Sequence, residues 1–201
     1  MRLVMKFGGT SVGDGRRIKD AAALVHQSAQ QGHEVVVAAS AMSGVTNALI
    51  NAARRASEGD DQVFIAAQRT LTQQHLTAID VAVADVTARS ALHEQTLKML
   101  DGFGNLCRSI HILGELTPRA LDAVASLGER LVIPIFAQAL RETGSRAEAI
   151  ESTELVVTDD NYTQAEPMMD ETREQSREQL LPLLKEGVVP VVTGFIGATR
   201  N

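Results

Sequence analysis

The first forty residues constrain the fold most, because they form the pattern of a complete strand–helix–strand unit. The apolar segment 2–7 ends at Gly8 and Gly9, and a helix is predicted from about Asp14, with apolar residues every three to four positions. Residues 34–39 then read Glu-Val-Val-Val-Ala-Ala, without polar alternation. Such a run is typical of a strand buried on both faces of a parallel sheet. The segment therefore predicts a βαβ unit with a right-handed crossover.

Strands and helices alternate along the rest of the chain. We expect a helix from about Gly44 to Arg55 and three more helices over residues 62–141, separated at 101–104 and at Thr117-Pro118. Pro134 should kink or divide the last of these. The remaining predicted elements are short strands at 147–150 and 155–157, a helix over 168–185 and a buried strand over 188–195. This order predicts one α/β domain, a mostly parallel sheet with helices on both faces.

Composition excludes several classes of function. A net charge of −6 and a pI near 5.4 argue against a nucleic-acid or anionic-membrane partner. Only 3% of the residues are aromatic, so few side chains are available for stacking on nucleic-acid bases. A single cysteine, Cys107, and no signal-like start predict a cytoplasmic protein, and no His/Cys spacing predicts a protein-bound metal.

Three loops rich in Gly, Ser and Thr follow apolar strands and predict one ligand site. They begin at Lys6, Ser40 and Thr193. Ligands of parallel α/β sheets bind beyond the carboxyl ends of the strands, and backbone N–H groups in such loops suit an anion. The helix starting near Gly44 adds its positive dipole end. The layout predicts a phosphate site, although each loop alone could be an ordinary sharp turn.

Two charged positions sharpen this prediction. Lys6 closes an apolar strand beside Gly8 and Gly9 and could clamp a phosphate, although a strand-end lysine can also simply extend to solvent. Neither the Walker A pattern nor the dinucleotide fingerprint is complete here. Gly128 lies inside a predicted helix next to Glu129 and Arg130, which indicates close approach of a backbone or ligand, or else a surface ion pair.

Together these motifs resemble those of the aspartokinases, which have the amino acid kinase fold. The resemblance lies in residues 6–12 (Lys-Phe-Gly-Gly-Thr-Ser-Val), 40–47, 126–130 (Ser-Leu-Gly-Glu-Arg), 156–159 and 194–197 (Gly-Phe-Ile-Gly), in that order. It implies a three-layer sandwich. It also implies transfer of the γ-phosphoryl group of ATP, with Mg²⁺, to the β-carboxylate of L-aspartate. The product, 4-phospho-L-aspartate, would begin lysine, threonine and methionine biosynthesis.

The resemblance also implies roles for individual residues. Lys6 would neutralise phosphoryl oxygens, with the loop Phe7, Gly8, Gly9, Thr10 and Ser11 around the ATP phosphates. Ser40 and Thr46 would contact aspartate, and Glu129 would pair with its ammonium group. Secondary candidates are Gly44, Arg130, Gly194 and Phe195. No catalytic base is expected, because a carboxylate with a pKa of about 3.9 is already ionised at neutral pH.

The chain departs from the aspartokinase pattern at its end. Aspartokinases continue into an Arg-Gly-Gly-Ser-Asp-type segment, a nucleoside-binding half and usually regulatory modules, none of which follows Ala198 here. We therefore expect residues 1–201 to be the N-terminal amino-acid-binding part of a kinase domain, inactive alone, with an incomplete sheet. In the full-length form we expect a homo-oligomer. The alternatives are a kinase of the same fold with another acceptor, and a non-catalytic aspartate-binding module.

Overall fold

The sheet has four parallel strands in the order β1-β2-β4-β3. In the computed structural model, which describes residues 1–200, these are β1 (Arg2–Phe7), β2 (Glu34–Ala39), β3 (Arg146–Ile150) and β4 (Val188–Thr193). Phe7 pairs with Ala39, and Ala39 pairs with Thr193. The carboxyl ends of three strands therefore lie at the same level along one edge. The predicted βαβ start and the parallel sheet are confirmed.

Six helices connect and cover these strands within residues 1–200. They are α1 (Gly15–Gln30), α2 (Val45–Ser57), α3 (Asp61–Ala82), α4 (Val86–Leu113), α5 (Pro118–Glu142) and α6 (Met169–Lys185). Side-chain caps explain two of the starts: Asp14 accepts the Arg17 N–H at the start of α1, and Thr117 accepts the Ala120 N–H at the start of α5. No helix in this part of the chain is long and apolar enough to cross a bilayer.

The predicted interruption at 101–104 is wrong. Helix α4 continues through this segment, and the break between α3 and α4 lies instead at residues 83–85. Phe103 is fully buried, and a Cβ on Gly104 would lie 2.7 Å from Oε1 of Gln68 on α3. Gly104 is therefore buried inside a helix, where it leaves room for the end of the Gln68 side chain, and it forms no turn.

Pro134 lies inside α5 and does not divide it, so of the two predicted effects only a kink stays a prediction. Two smaller expectations need correction. Residues 155–157 form no strand; a 3₁₀ turn at Ser152–Glu154 precedes them, and Val157 makes one isolated bridge to Ala198. Strand β4 ends at Thr193, two residues early, because Phe195 has a φ of 54° and cannot extend the sheet.

The two faces of the sheet carry unequal layers. Helices α1 and α5 pack on one face, with α2, α3 and α4 beyond them, and share one large apolar core. Helix α6 packs on the other face over a small cluster that includes Val36, Val192 and Leu184. Helices on both faces confirm the predicted three layers. The α6 layer does not cover β1. Val4 of β1, which pairs with Val36 of β2, is 73% exposed.

Candidate functional site

The three predicted loops meet at the carboxyl edge of the sheet. Ser40 N–H donates to the Phe7 carbonyl at 3.0 Å, which joins the loop after β2 to the end of β1. Gly194 N–H donates to the Ala39 carbonyl at 2.9 Å, which joins the loop after β4 to β2. These bonds extend the parallel pairing beyond the strands, so segments far apart in sequence form one surface.

The loop after β1 is held in shape by its neighbours. A Cβ on Gly9 would lie 2.9 Å from the Ala41 carbonyl oxygen, so this position requires glycine. Ser43 Oγ donates to the Gly9 carbonyl at 2.9 Å, and Arg17 Nη1 donates to the Thr10 carbonyl at 2.6 Å. Ser11 N–H is used within the turn, where it donates to the Gly8 carbonyl at 2.8 Å.

Glu129 is a buried carboxylate at the same edge. Its residue is 8% exposed, and Oε1 accepts the Ala41 N–H at 3.3 Å. Burial raises the pKa of the Glu129 carboxyl above its ordinary value, and the Ala41 N–H opposes part of that rise. Gly128 makes the approach possible, because a Cβ there would lie 2.7 Å from the Ala41 Cβ. The glycine inside α5 therefore brings a carboxylate against the loop after β2.

A polar cavity of about 620 Å³ opens in front of Glu129. One wall carries the Thr46 hydroxyl and a stripe of α5 residues spaced three or four apart. Members of that stripe are Arg119, Asp122, Ser126 and Glu129. The opposite wall consists of residues from the segments 158–165 and 195–199. The cavity lining thus combines the carboxyl groups of Asp122, Glu129 and Asp159 with hydroxyl groups and one arginine.

Lys6 lies beside a different cavity. This second cavity, of about 400 Å³, lies on the α6 face of the sheet. Its lining comprises Lys6, Gly194, apolar side chains and the hydroxyl residues Ser152, Ser176 and Thr193. Lys6 Nζ is 4.5 Å from the ring centroid of Phe195, a favourable cation–π distance. Phe195 is 86% exposed and, with Ile196, lines both cavities. The loop after β4 therefore separates Lys6 from Glu129.

A pair of buried hydroxyl groups shapes this separating loop. The Thr193 hydroxyl accepts the Ser152 N–H at 2.8 Å and shares a hydrogen bond with the Ser152 hydroxyl at 2.7 Å. Ser152 Oγ also donates to the Ile196 carbonyl at 2.8 Å. Both residues are buried, so the network anchors the chain on either side of Phe195.

The remaining predicted residues lie around these cavities. Ser40 and Gly44 lie on the loop after β2, outside the lining of either cavity, and Gly44 precedes α2 with a φ of 83°. Arg130 Nε is 2.9 Å from Glu151 Oε1, so this candidate forms an ion pair with the segment after β3. The structure thus places Thr46, Glu129 and Phe195 together and leaves Arg130 in a separate contact.

Several residues of the site were not predicted from sequence. Arg119, Asp122 and Tyr162 line the polar cavity, and Ser152 shapes the adjoining loop through its bond to the predicted Thr193. The spacing of 119, 122, 126 and 129 on one predicted helix was a usable signal for the first two. Nothing local marks Ser152 or Tyr162, because their partners lie on other elements.

The described residues offer no protein ligand set for a metal. Across residues 1–200, histidine, cysteine and acidic side chains form no group of three or more that could hold an ion. The role expected for Mg²⁺, held through nucleotide phosphates, therefore stays a prediction, and no step below depends on the ion.

Comparison with known proteins decides the family. The model of the amino acid kinase family matches residues 1–201. The chain belongs to this family. Its sequence is 32% identical to aspartokinase 3, chloroplastic, of Arabidopsis thaliana, over 96% of this chain and 34% of that relative. It is 28% identical to lysine-sensitive aspartokinase 3 of Escherichia coli K12, over 99% of this chain and 41% of that relative.

A solved structure confirms the expected fold. The chain matches E. coli aspartokinase III in complex with aspartate and ADP with a TM-score of 0.88 and 26% identity. The match covers 100% of this chain and 42% of that structure. The chain therefore spans well under half the length of the relatives it matches.

Proposed function

We propose that this chain forms the amino-acid-binding part of an aspartate kinase. The complete protein would transfer the γ-phosphoryl group of ATP to the β-carboxylate of L-aspartate and release 4-phospho-L-aspartate. The observation that carries the proposal is the buried Glu129 carboxylate at the inner end of a polar cavity, beside Thr46, in a chain similar to aspartokinases.

Glu129 has the properties needed to recognise an ammonium group. Its carboxylate is desolvated, and the hydrogen bond to it from Ala41 is a long one of 3.3 Å. A buried anion with so little compensation is unfavourable until a cation pairs with it. The ammonium group of an amino acid supplies that charge, and the Thr46 hydroxyl on the same cavity wall supplies a further polar contact. A dicarboxylate without an amine would bind poorly.

Lys6 and the glycine loop would serve the phosphate side. The substrate carboxylate needs no base, so the chain has to bring two anions together and stabilise the charge of a loose transition state. In our proposal Lys6 neutralises phosphoryl oxygens after leaving the Phe195 ring, and the backbone N–H groups of Gly8, Gly9 and Thr10 cradle them. We extend the proposal to MgATP as donor, to the first step of lysine, threonine and methionine biosynthesis in the cytoplasm, and to a homo-oligomer.

Hydroxamate formation from MgATP in the full-length protein tests the proposal. L-aspartate should be phosphorylated, whereas L-glutamate, N-acetylglutamate, carbamate and UMP should not. Lys6→Ala should lower kcat about 100-fold, and Glu129→Gln should raise the KM for aspartate at least about tenfold with little change in the KM for ATP. Lys98→Ala, an exposed lysine on α4, is the matched control and should leave both constants unchanged.

Two outcomes would contradict the assignment. Preferred phosphorylation of another acceptor would favour a different kinase of the family, and tight aspartate binding without turnover would favour a binding module. We also propose that residues 1–201 alone have no measurable kinase activity, because the relatives are more than twice as long. Aspartate hydroxamate formed by this polypeptide above background would overturn that part.

A further inference from the structure

The segment 159–166, here named the cavity loop, forms an exposed wall of the polar cavity. Asp159 organises it internally: its Oδ1 accepts the N–H groups of Asn161 and Glu166 at 3.2 and 3.1 Å. Asp159 N–H also donates to the Glu166 carbonyl at 3.1 Å. None of its eight residues is buried. The loop therefore has a defined shape but little apolar anchoring, so its position depends on specific contacts.

Two residues of α5 provide such contacts. Thr163 N–H donates to Asp122 Oδ2 at 2.7 Å, and the Arg119 guanidinium carbon lies 5.8 Å from the Tyr162 ring centroid. Arg119 and Asp122 are three residues apart, so they lie on the same face of α5, one turn apart. Adjacent residues of the cavity loop thus bind adjacent turns of the helix that also carries Glu129.

The backbone of Thr163 has an unfavourable conformation at its contact with Asp122. Its φ is 69°, in the left-handed region, where a β-branched residue is rarely found. Such a conformation persists when surrounding contacts determine it. The short hydrogen bond to the Asp122 carboxylate is charge-assisted and provides one such contact. If Asp122 is lost, the loop should relax away from α5.

Asp122 and Arg119 lie on α5 some way from the carboxylate that would pair with the ammonium group. They precede Glu129 by seven and ten residues, which corresponds to about 10 and 15 Å along the helix axis. Both side chains contact the cavity loop, so we assign their effect on the amino acid to the loop that they hold.

We propose that Asp122 and Arg119 are positioning residues that hold the cavity loop closed over the amino acid site. This inference rests on the proposed function, because the retained ligand is the amino acid substrate. A closed loop reduces escape of the bound amino acid and keeps water from it. The apparent affinity for the amino acid is proportional to the fraction of molecules in which the loop is closed. A variant that lowers this fraction therefore binds more weakly, while the chemistry in the closed state is unchanged.

Steady-state kinetics of the full-length enzyme tests the inference. Asp122→Ala, which removes the acceptor, should raise the KM for aspartate about five- to tenfold, with kcat and the KM for ATP changed less than twofold. Thr163→Pro removes the N–H donor and also forces φ to about −65°, against the 69° observed, so its effect should be at least as large. The double variant should be no worse than Thr163→Pro alone, because the proline has already removed the bond. Additive effects would show that Asp122 contacts substrate directly and would overturn the positioning role.

Further variants complete the design. Thr163→Gly keeps the N–H donor and should leave the KM at or below the wild-type value. Asp20→Ala, at an exposed acid on α1, is the matched control and should change nothing. Hydrogen exchange provides a readout independent of catalysis: the Thr163 amide should be protected in the wild type and exchange faster in Asp122→Ala. An unprotected wild-type amide would refute the docked loop.

The same data distinguish the two proposals. If the wild type does not phosphorylate aspartate, the proposed function fails, whatever the exchange data show. If Glu129→Gln raises the KM for aspartate while Asp122→Ala does not, the proposed function stands and the positioning role fails.

Discussion

The two walls of the polar cavity differ in how they are built. The α5 wall belongs to the main core: Glu129 is 8% exposed, and its neighbours Val124 and Gly128 are buried against other elements. The opposite wall consists of the cavity loop and residues after β4, which are exposed or half-buried and are held by individual hydrogen bonds. The α5 wall is thus anchored in the main core, whereas the opposite wall is held at the surface by individual polar contacts.

The largest effect should come from overpacking the α5 wall. Gly128→Ala places a Cβ 2.7 Å from the Ala41 Cβ, which should lower the free energy of unfolding by about 1–3 kcal/mol. It should also push Glu129 away from the loop after β2 and raise the KM for aspartate. Denaturant unfolding and kinetics check both effects.

Two further variants make this test specific to the close contact. Adding Ala41→Gly to Gly128→Ala should recover most of the loss, because it removes the opposing Cβ. Gly102→Ala, at an exposed glycine within α4 with nothing within 4 Å, should instead stabilise the protein by about 0.5–1 kcal/mol. Equal effects at both glycines would contradict the proposed close packing.

A smaller effect is expected in the loop wall. Ser152→Ala removes the hydroxyl that joins Thr193 to the Ile196 carbonyl, which should cost about 1 kcal/mol and lower Tm by about 2–4 °C. The loop around Phe195 should become more mobile, and its amides should exchange faster. Ser109→Ala, whose exposed hydroxyl donates only to the Asn105 carbonyl four residues earlier, is the control and should change Tm very little. If Ser152→Ala lowered the free energy of unfolding as much as Gly128→Ala does, the proposed difference between the two walls would be contradicted.

The buried Glu129 carboxyl, which would bind the substrate, predicts that the stability of the unliganded protein depends on pH. Because its folded-state pKa is raised by burial, the folded protein keeps this proton to higher pH than the unfolded chain. Stability is therefore lost as pH rises from the ordinary carboxyl range through the folded pKa. Without ligand, Glu129→Gln should raise Tm at neutral pH by about a degree or two and leave it unchanged at pH 4. A lower Tm at neutral pH would show that the carboxylate stabilises the unliganded fold.

The smallest effect should arise far from the cavity, at His75 on α3. His75 is fully buried, and its Nδ1 lies 2.7 Å from the Leu71 carbonyl oxygen. Burial lowers its pKa below the ordinary 6.5, so its contribution to stability is present above pH 6.5 and is lost as pH falls through the folded pKa. His75→Leu should flatten the dependence of Tm between pH 7 and 5. An unchanged pH profile would show that another group is responsible.

Sequence patterns were informative wherever the structural cause is local. The βαβ start, the helix start at Thr117-Pro118, and the meeting of three loops at one edge follow from periodicity, capping and the rule for parallel strands. The same local reasoning failed at Gly104, because a glycine can mark a turn or permit close helix packing. Only the neighbouring helix distinguishes these two uses.

By itself, then, the sequence determined the alternation of strands and helices, the parallel sheet and the edge at which a ligand would bind. Tertiary structure alone decided that Lys6 and Glu129 line different cavities, because strand alternation directs Lys6 to the α6 face while α5 carries Glu129 on the other. It also decided that Asp122 holds Thr163, two residues separated by 41 positions. Contacts of this kind depend on how elements pack, and no periodicity within either segment encodes them.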